Sequence, residues 1–290
     1  IPHFCYHPGL PTDGNCRLCT VEVETPRGRT TLISCATPVT EGMKVFTQTD
    51  TVKEIRRSVL EFFLANHPLD CPVCDKAGEC LLQDHYFDHA GHDSVMDVPK
   101  VRKGKRLDLG PKIVLDQERC VLCNRCVRFL REFACHEELY IAQRGDHSRI
   151  TTFPGKALEG RYVLNTVDLC PVGALTSRDF RFSCREWFLR RTTTICPGCS
   201  RGCNVWLDYH PGEGRAFRMV PRFNPEVNRH WMCDEGRLTY KIVNENRLPA
   251  LNLAAALEQA TTVIQDTLAR YGPDSIAAIS SPFATNESQA

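Results

Sequence analysis

Two cysteines separated by two residues occur five times in this chain, at 16/19, 71/74, 120/123, 123/126 and 196/199. That spacing sets two sulfurs on one ion or cluster, so a chain that repeats it folds around inorganic centres as well as around apolar residues. Seventeen of the 290 residues are cysteine. Disulfides are the usual explanation in a short secreted chain. This chain is long, shows no export signal at Ile1-Pro2-His3-Phe4-Cys5 and has an odd cysteine count, which favours metal in a reducing compartment. Its start and its end at Glu287-Ser288-Gln289-Ala290 read as those of a fragment. The net charge of +1, with acids and bases interspersed, gives no case for nucleic acid, which would need a strongly basic face. No apolar run approaches the roughly 18 residues of a membrane-spanning helix.

Four ligand sets emerge from the spacings. Cys5, Cys16, Cys19 and Cys35 suit a 2Fe–2S cluster, and Gly9, Gly14 and Gly28 would let the backbone curl toward the sulfurs. His67, Cys71, Cys74 and Cys80 suit a 4Fe–4S cluster in which imidazole supplies the fourth ligand; a neutral donor in place of a thiolate should raise the potential. Cys120, Cys123 and Cys126 form the bacterial ferredoxin run, but its usual fourth position is Leu130, so Cys170 before Pro171 completes this 4Fe–4S set. Cys196, Cys199, Cys203 and Cys233 make a third 4Fe–4S set. Zinc stays open for the first, second and fourth sets. Cys135 and Cys184 are left over and are expected to be ordinary buried residues. His85, His89 and His92 have helical spacing but no acid or cysteine to complete a site.

Local patterns place these sets. Thr20–Glu24 and Thr30–Ile33 read as strands joined by a turn at 26–29. A helix follows, with Thr51 and Glu54 as a capping box and Val52, Ile55, Val59, Phe62 and Phe63 on one face; Pro68 ends it. Residues 67–98 read as a loop-rich metal module and 100–112 as a basic, solvated strap or subunit contact. A helix is expected to start at 120–126, and short strands surround the last cysteines. Beyond Leu251 cysteine disappears, a helix is predicted over 254–270 and a buried strand over 275–280, the opening of an α/β domain.

The order of the sets resembles the N-terminal part of the large iron–sulfur (G) subunit of bacterial NADH:quinone oxidoreductase, respiratory complex I. The motifs carrying the resemblance are Cys-Arg-Leu-Cys at 16–19, His-Pro-Leu-Asp-Cys-Pro-Val-Cys at 67–74, Gly-Glu-Cys-Leu-Leu-Gln-Asp at 78–84, Cys-Val-Leu-Cys-Asn-Arg-Cys-Val-Arg at 120–128 and Cys-Pro-Val-Gly-Ala-Leu at 170–175. The resemblance implies an electron-transfer subunit. Electrons would come from a neighbouring NADH/FMN-binding subunit and pass the first, third and second sets toward downstream iron–sulfur subunits and quinone. The fourth set would stand off that route. It implies a peripheral place on the cytoplasmic face of the inner membrane, with no span of its own. Subunits of soluble hydrogenases and NAD-linked formate dehydrogenases share the first two sets, but their next domain commonly holds two clusters, which Leu130 argues against. The segment from Cys196 resembles molybdopterin oxidoreductases, yet Glu235 stands where active formate dehydrogenases usually carry lysine, so no molybdenum cofactor is expected.

The expected fold is α+β and multi-domain. A 2Fe–2S ferredoxin-like β-grasp module occupies 1–50, lacking its N-terminal strands. A helix and the histidine-ligated 4Fe–4S module occupy 51–98, and a single-cluster ferredoxin-like 4Fe–4S domain 99–190. A molybdopterin-oxidoreductase-like 4Fe–4S domain follows over 191–248, opening an incomplete α/β domain at 249–290. No constellation of general acid, base and nucleophile is present, so no bond-making chemistry is expected on this chain. A zinc scaffold without redox function and a molybdenum-dependent dehydrogenase are the competing readings.

Overall fold

The computed structural model describes residues 1–91, 93–94, 96–245 and 253–278. Strand β1 (Thr20–Thr25) pairs antiparallel with β2 (Gly28–Ile33) from Thr25↔Gly28 to Thr20↔Ile33. The turn is therefore the two residues Pro26-Arg27, tighter than the sequence suggests, and Gly28 takes φ +105° just after it. β3 (Val45–Phe46) joins the other edge of β1, leaving β1 central with Thr20, Val21, Glu22 and Val23 all buried.

Helix α1 (Asp50–Asn66) starts earlier than its predicted capping box. Thr49, not Thr51, is the cap: its hydroxyl accepts from Val52 N at 3.3 Å. The buried stripe is Val52, Arg56 and Leu60, with Val59 and Phe63 packed beside it, while Phe62 is 75% exposed. Arg56 takes a core position that an apolar pattern cannot reveal. Pro68 does end the helix, and His67 is extended at ψ 131°. Helix α2 (Leu81–His89) follows.

The basic stretch 100–112 is largely exposed, as expected of a solvated strap, but its lysines tie it to the molecule. Lys100 donates to the Leu64 and Ala65 carbonyls at the end of α1, Lys103 to Ser148 O, and Lys105 pairs with Asp70, Asp116 and Glu118. Lysines here satisfy helix-end carbonyls and buried carboxylates, a use that charge counting cannot separate from a free face. β4 (Leu107–Asp108) and β5 (Ile113–Leu115) lead to α3 (Arg125–Phe129), which runs on as one π turn, Leu130–Ala134, ended by Cys135 at φ +53°. β6 (Leu139–Ala142) and β7 (Arg149–Thr152) form a hairpin. After α4 (Asn165–Leu169), β8 (Leu175–Ser177) completes the sheet β4-β5-β8. One core spans all of this, from Phe4, Leu18 and Leu60 to Ile113, Phe129, Leu130 and Trp231.

β9 (Arg190–Ile195), β10 (Asn204–His210) and β11 (Arg215–Pro221) make an antiparallel sheet in the order β11-β10-β9, followed by α5 (Asp234–Arg237) and α6 (Tyr240–Asn244). Val205, Ala216, Met219, Met232 and Tyr240 form a second core, so the adjacent residues Trp231 and Met232 belong to different cores. Helix α7 (Leu253–Tyr271) matches its prediction and buries none of its residues. The strand expected over 275–280 is absent from its described part: Ser275 ends a short 3₁₀ turn, and Ile276 is 39% exposed. A buried strand requires neighbours to pair with it, and none is present among the described residues. Residues 279–280 lie outside the described residues.

Candidate iron–sulfur centres

In the first set, Cys5 and Cys16 lie close enough to perturb each other, as do Cys19 and Cys35. Cys5 lowers Cys16 to about 6, whereas burial and Cys19 push Cys35 up to about 12. Phe4 N–H points at Cys16 Sγ at 3.5 Å. Arg17, inside the Cys-x-x-Cys loop, takes the left-handed φ of +58°, and Gly14 before it +70°. Gly14 therefore has the curling role expected of it. Gly9 does not: a Cβ there would meet His230 at 2.7 Å and Trp231 at 2.8 Å, so it permits the first loop to dock on residues 230–231. Gly28 serves the hairpin.

The second set borders a cavity of about 510 Å³ whose wall includes His67, Cys71, Cys74, Cys80, Arg119 and Gly173. Helix α1 presents His67 at its C-cap, a 3₁₀ turn carries Cys71–Val73, and Cys80 is the N-cap of α2. His67 Nδ1 is buried without a hydrogen-bond partner. Burial first, then Arg119 and Lys100, lowers His67 to about 4, keeping the imidazole in the neutral form a ligand needs. A Cβ at Gly173 would collide with Cys74 Sγ, so only glycine fits against that sulfur.

In the third set, as in the first, three cysteines are buried and one is half-buried: Cys123, Cys126 and Cys170 against Cys120. Burial and mutual repulsion push Cys120 and Cys123 up to about 12 and Cys126 well above its ordinary value. Four thiolates can share such a place only with a cationic centre among them. Leu122 and Asn124 adopt φ +52° and +61°, a conformation costing roughly 1–2 kcal/mol per residue. It turns the Leu122 N–H toward Cys120 Sγ at 3.4 Å. Leu130 is fully buried in the core, an apolar residue where a two-cluster ferredoxin would have cysteine.

In the fourth set, Cys196 follows β9, Cys203 precedes β10 and Cys233 caps α5; Cys203 lies within electrostatic reach of Cys196, Cys199 and Cys233. Gly236 N–H donates to Cys233 Sγ at 3.3 Å, and a Cβ on Gly236 would stand 2.9 Å from Cys196 Sγ. Cys199 is exposed. Glu235 pairs with Arg161. In all four sets the donor chemistry and the glycine-lined or N–H-lined sulfurs fit iron–sulfur clusters.

The leftover residues behave differently from expectation. Cys135 is exposed and Cys184 half-buried, because one ends a π turn and the other lies in a loop. His85 packs on Phe4 and its ring meets the His3 backbone, a packing role; His92 lies outside the described residues.

Contacts between the sets were invisible in the spacings. Asn15 Nδ2 donates to Leu122 O at 3.2 Å and Asn124 Nδ2 to Asp13 at 3.4 Å, joining the first loop to the third. Arg125 and Arg128 reach from α3 to the carbonyls of Tyr6, Cys5 and Pro11. The third set meets the second where Gly173 touches Cys74 and where Leu81 N–H donates to Pro171 O at 3.0 Å. A cavity of about 340 Å³ is bordered by Cys16, His67 and Cys120, one residue from each of these three sets. The fourth set keeps more to itself. Its Cys196–Cys203 loop bonds to Gly236 and Val227 of the same module. Beside Cys233 the module is tied to the preceding domain, by Lys112 to Asp234 at 2.8 Å and Asn165 Nδ2 to Met232 O at 2.8 Å, and on β11 by Arg218 to Glu79 at 2.8 Å.

Four family profiles match in succession. They are a 2Fe-2S iron-sulfur cluster binding domain over 1–50, an NADH-ubiquinone oxidoreductase-G iron-sulfur binding region over 56–94, an NADH-quinone oxidoreductase subunit 3 ferredoxin-like domain over 110–176 and a molybdopterin oxidoreductase Fe4S4 domain over 189–245. The NADH-quinone oxidoreductase G subunit of Rickettsia bellii is 38% identical over 294 residues, covering 99% of this chain and 42% of that protein. The NADH-ubiquinone oxidoreductase 75 kDa subunit of Reclinomonas americana is 42% identical over 86% of this chain and 35% of its own length. A chain in the crystal structure of an NAD+-reducing [NiFe]-hydrogenase in the H2-reduced state superposes with a TM-score of 0.54 at 37% identity, over 63% of this chain and 78% of that one. With mixed α/β modules that carry 2Fe–2S and 4Fe–4S domains in this order, the chain belongs to the family of NADH-quinone oxidoreductase G subunits, spanning about two fifths of the curated members it matches, 42% of the Rickettsia bellii protein.

Proposed function

We propose that this chain is an electron-transfer part of an NADH-quinone oxidoreductase, relaying electrons from an NADH/FMN-binding subunit toward downstream iron–sulfur subunits and quinone. In this reading Cys5, Cys16, Cys19 and Cys35 hold a 2Fe–2S cluster. The sets Cys71, Cys74, Cys80 with His67; Cys120, Cys123, Cys126 with Cys170; and Cys196, Cys199, Cys203 with Cys233 each hold a 4Fe–4S cluster. When bound, the clusters supply reversible one-electron storage. The residues of the chain ligate, space and insulate. The observation that carries the reading is the mutual packing of the first three sets, from the first loop to the third, from the third to the second and from Phe4 to His85 on α2, while the Cys196–Cys203 loop bonds within its own module. It supports a route through the first three sets with the fourth set off it.

The domain divisions 1–50, 51–98, 99–190, 191–248 and 249–290 belong to this proposal, as does a peripheral place on the cytoplasmic face of a bacterial inner membrane. No described helix is long and apolar enough to cross a membrane. Iron and acid-labile sulfide counts on the purified protein, together with EPR of the reduced form, test the reading. One binuclear and three tetranuclear clusters are the expected result; stoichiometric zinc in place of iron overturns it.

A further inference from the structure

Arg56 and Arg125 are buried cations with no carboxylate partner among the described residues. Arg56 is 1% exposed and Arg125 6% exposed. The only side-chain hydrogen bond described for Arg56 runs to Thr20 O at 3.4 Å, and its Nε has no partner. Arg125 donates to Tyr6 O and, at 3.2 Å, to Leu169 O; its Nε is also unpartnered. Carbonyl dipoles offset part of the desolvation of a guanidinium, but a buried charge left without a counter-charge costs several kcal/mol. The groups that answer these two cations are sulfurs. Thr20, whose carbonyl Arg56 reaches, is the chain neighbour of Cys19, and Arg125 itself adjoins Cys126 in the third set. Arg125 therefore stands between two ligand sets: its carbonyl partners Tyr6 and Leu169 are the chain neighbours of Cys5 and Cys170. Arg128, in contrast, has a carboxylate nearby, Asp13 at 3.8 Å.

We infer that Arg125 is a positioning and counter-charge residue shared by the first and third sites, and that Arg56 serves the first site alone. The inference rests on the reading of those sites as clusters. A cluster on four thiolates is an anion, and reduction deepens its charge. A fixed, desolvated cation beside it favours the reduced form and raises the potential. A cation shared by two neighbouring sites raises both and keeps electron transfer between them near balance.

The test uses the assembled, cluster-loaded complex and potentiometric EPR. Arg125→Gln keeps a hydrogen-bonding side chain of similar reach and removes the charge. Both the first-site and third-site potentials are expected to fall, with Arg125→Lys closer to the parent. Arg56→Gln is expected to lower the first-site potential and leave the third unchanged. Signals present with unmoved potentials in Arg125→Gln, or a shift at one site only, overturn the shared role. If Arg125→Gln fails to assemble, Arg56→Gln decides: a first-site potential that does not move, or an equal shift at both sites, overturns the inference. Absence of the first- and third-site signals from the unsubstituted complex would instead sink the cluster reading itself.

Discussion

At the scale of single residues, the second site makes the sharpest demands. His67 is set by Pro68, which stops α1 and turns the histidine out in extended backbone. His67→Cys is expected to retain a 4Fe–4S cluster at a lower potential, because a thiolate adds negative charge where imidazole added none. Potentiometric EPR reads this directly; an unchanged signal and potential would remove His67 from the ligand set. Gly173 makes the opposite kind of demand, for absence. Its hydrogen faces Cys74 Sγ, and Lys76 Cβ stands 3.2 Å from where a methyl would go. Gly173→Ala should push Cys74 aside and cost the second site its iron, about four atoms per chain, while the third site keeps its own. Full iron content in that variant would show that the loop yields instead.

At the scale of elements, the β9-β10-β11 sheet is tied to the loop before α2 by one buried charge network. Arg218 on β11 donates bidentately to Glu79 and also to Asp208 on β10, which Arg191 on β9 holds at 2.6 Å. Burial works against the Glu79 charge, but Lys76 and Arg218 outweigh it and hold the carboxyl at about 2. Arg218→Met strips Glu79 of its fork and leaves it Lys76 alone, while Asp208 keeps Arg191. The expected cost is on the order of 2 kcal/mol, seen as a lower urea midpoint. Adding Glu79→Gln should recover part of it, since the half-compensated carboxylate is then gone. Equal or additive losses would mean that the two side chains do not act as a pair.

At the scale of the whole molecule, two cores and four ligand sets share 290 residues. In the proposed reading, metal is part of what folds the chain. About fourteen iron atoms per chain are expected, the sum for one binuclear and three tetranuclear centres. Cys199 is exposed and belongs to the set whose loop bonds within its own module. Cys199→Ala should weaken assembly by loosening the 196–203 loop but leave NADH-to-quinone electron flow largely intact in complexes that do assemble. Normal assembly with abolished turnover would put the fourth set on the main route.

The proposed grouping of the cysteines rests largely on local spacing: a Cys-x-x-Cys loop brings its sulfurs together wherever it is placed. Pro68 stopping α1, the hairpin after Cys19 and the helix over 253–271 were legible for the same reason. Periodicity misassigned Phe62 to the buried face and passed over Arg56, since an apolar pattern cannot signal a buried cation whose counter-charge lies on another segment. Arg125 and Arg128 stood in plain view within Cys-Asn-Arg-Cys-Val-Arg, yet only the tertiary structure carried them to the Tyr6, Cys5 and Pro11 carbonyls more than a hundred residues away. The same holds for Gly173 against Cys74 and for the lysines of 100–112, which satisfy distant carbonyls and carboxylates. Which ligand set neighbours which is a matter of long-range packing, so the sequence by itself offered the proposed sets through local spacing, and only the tertiary structure decided which of them pack side by side.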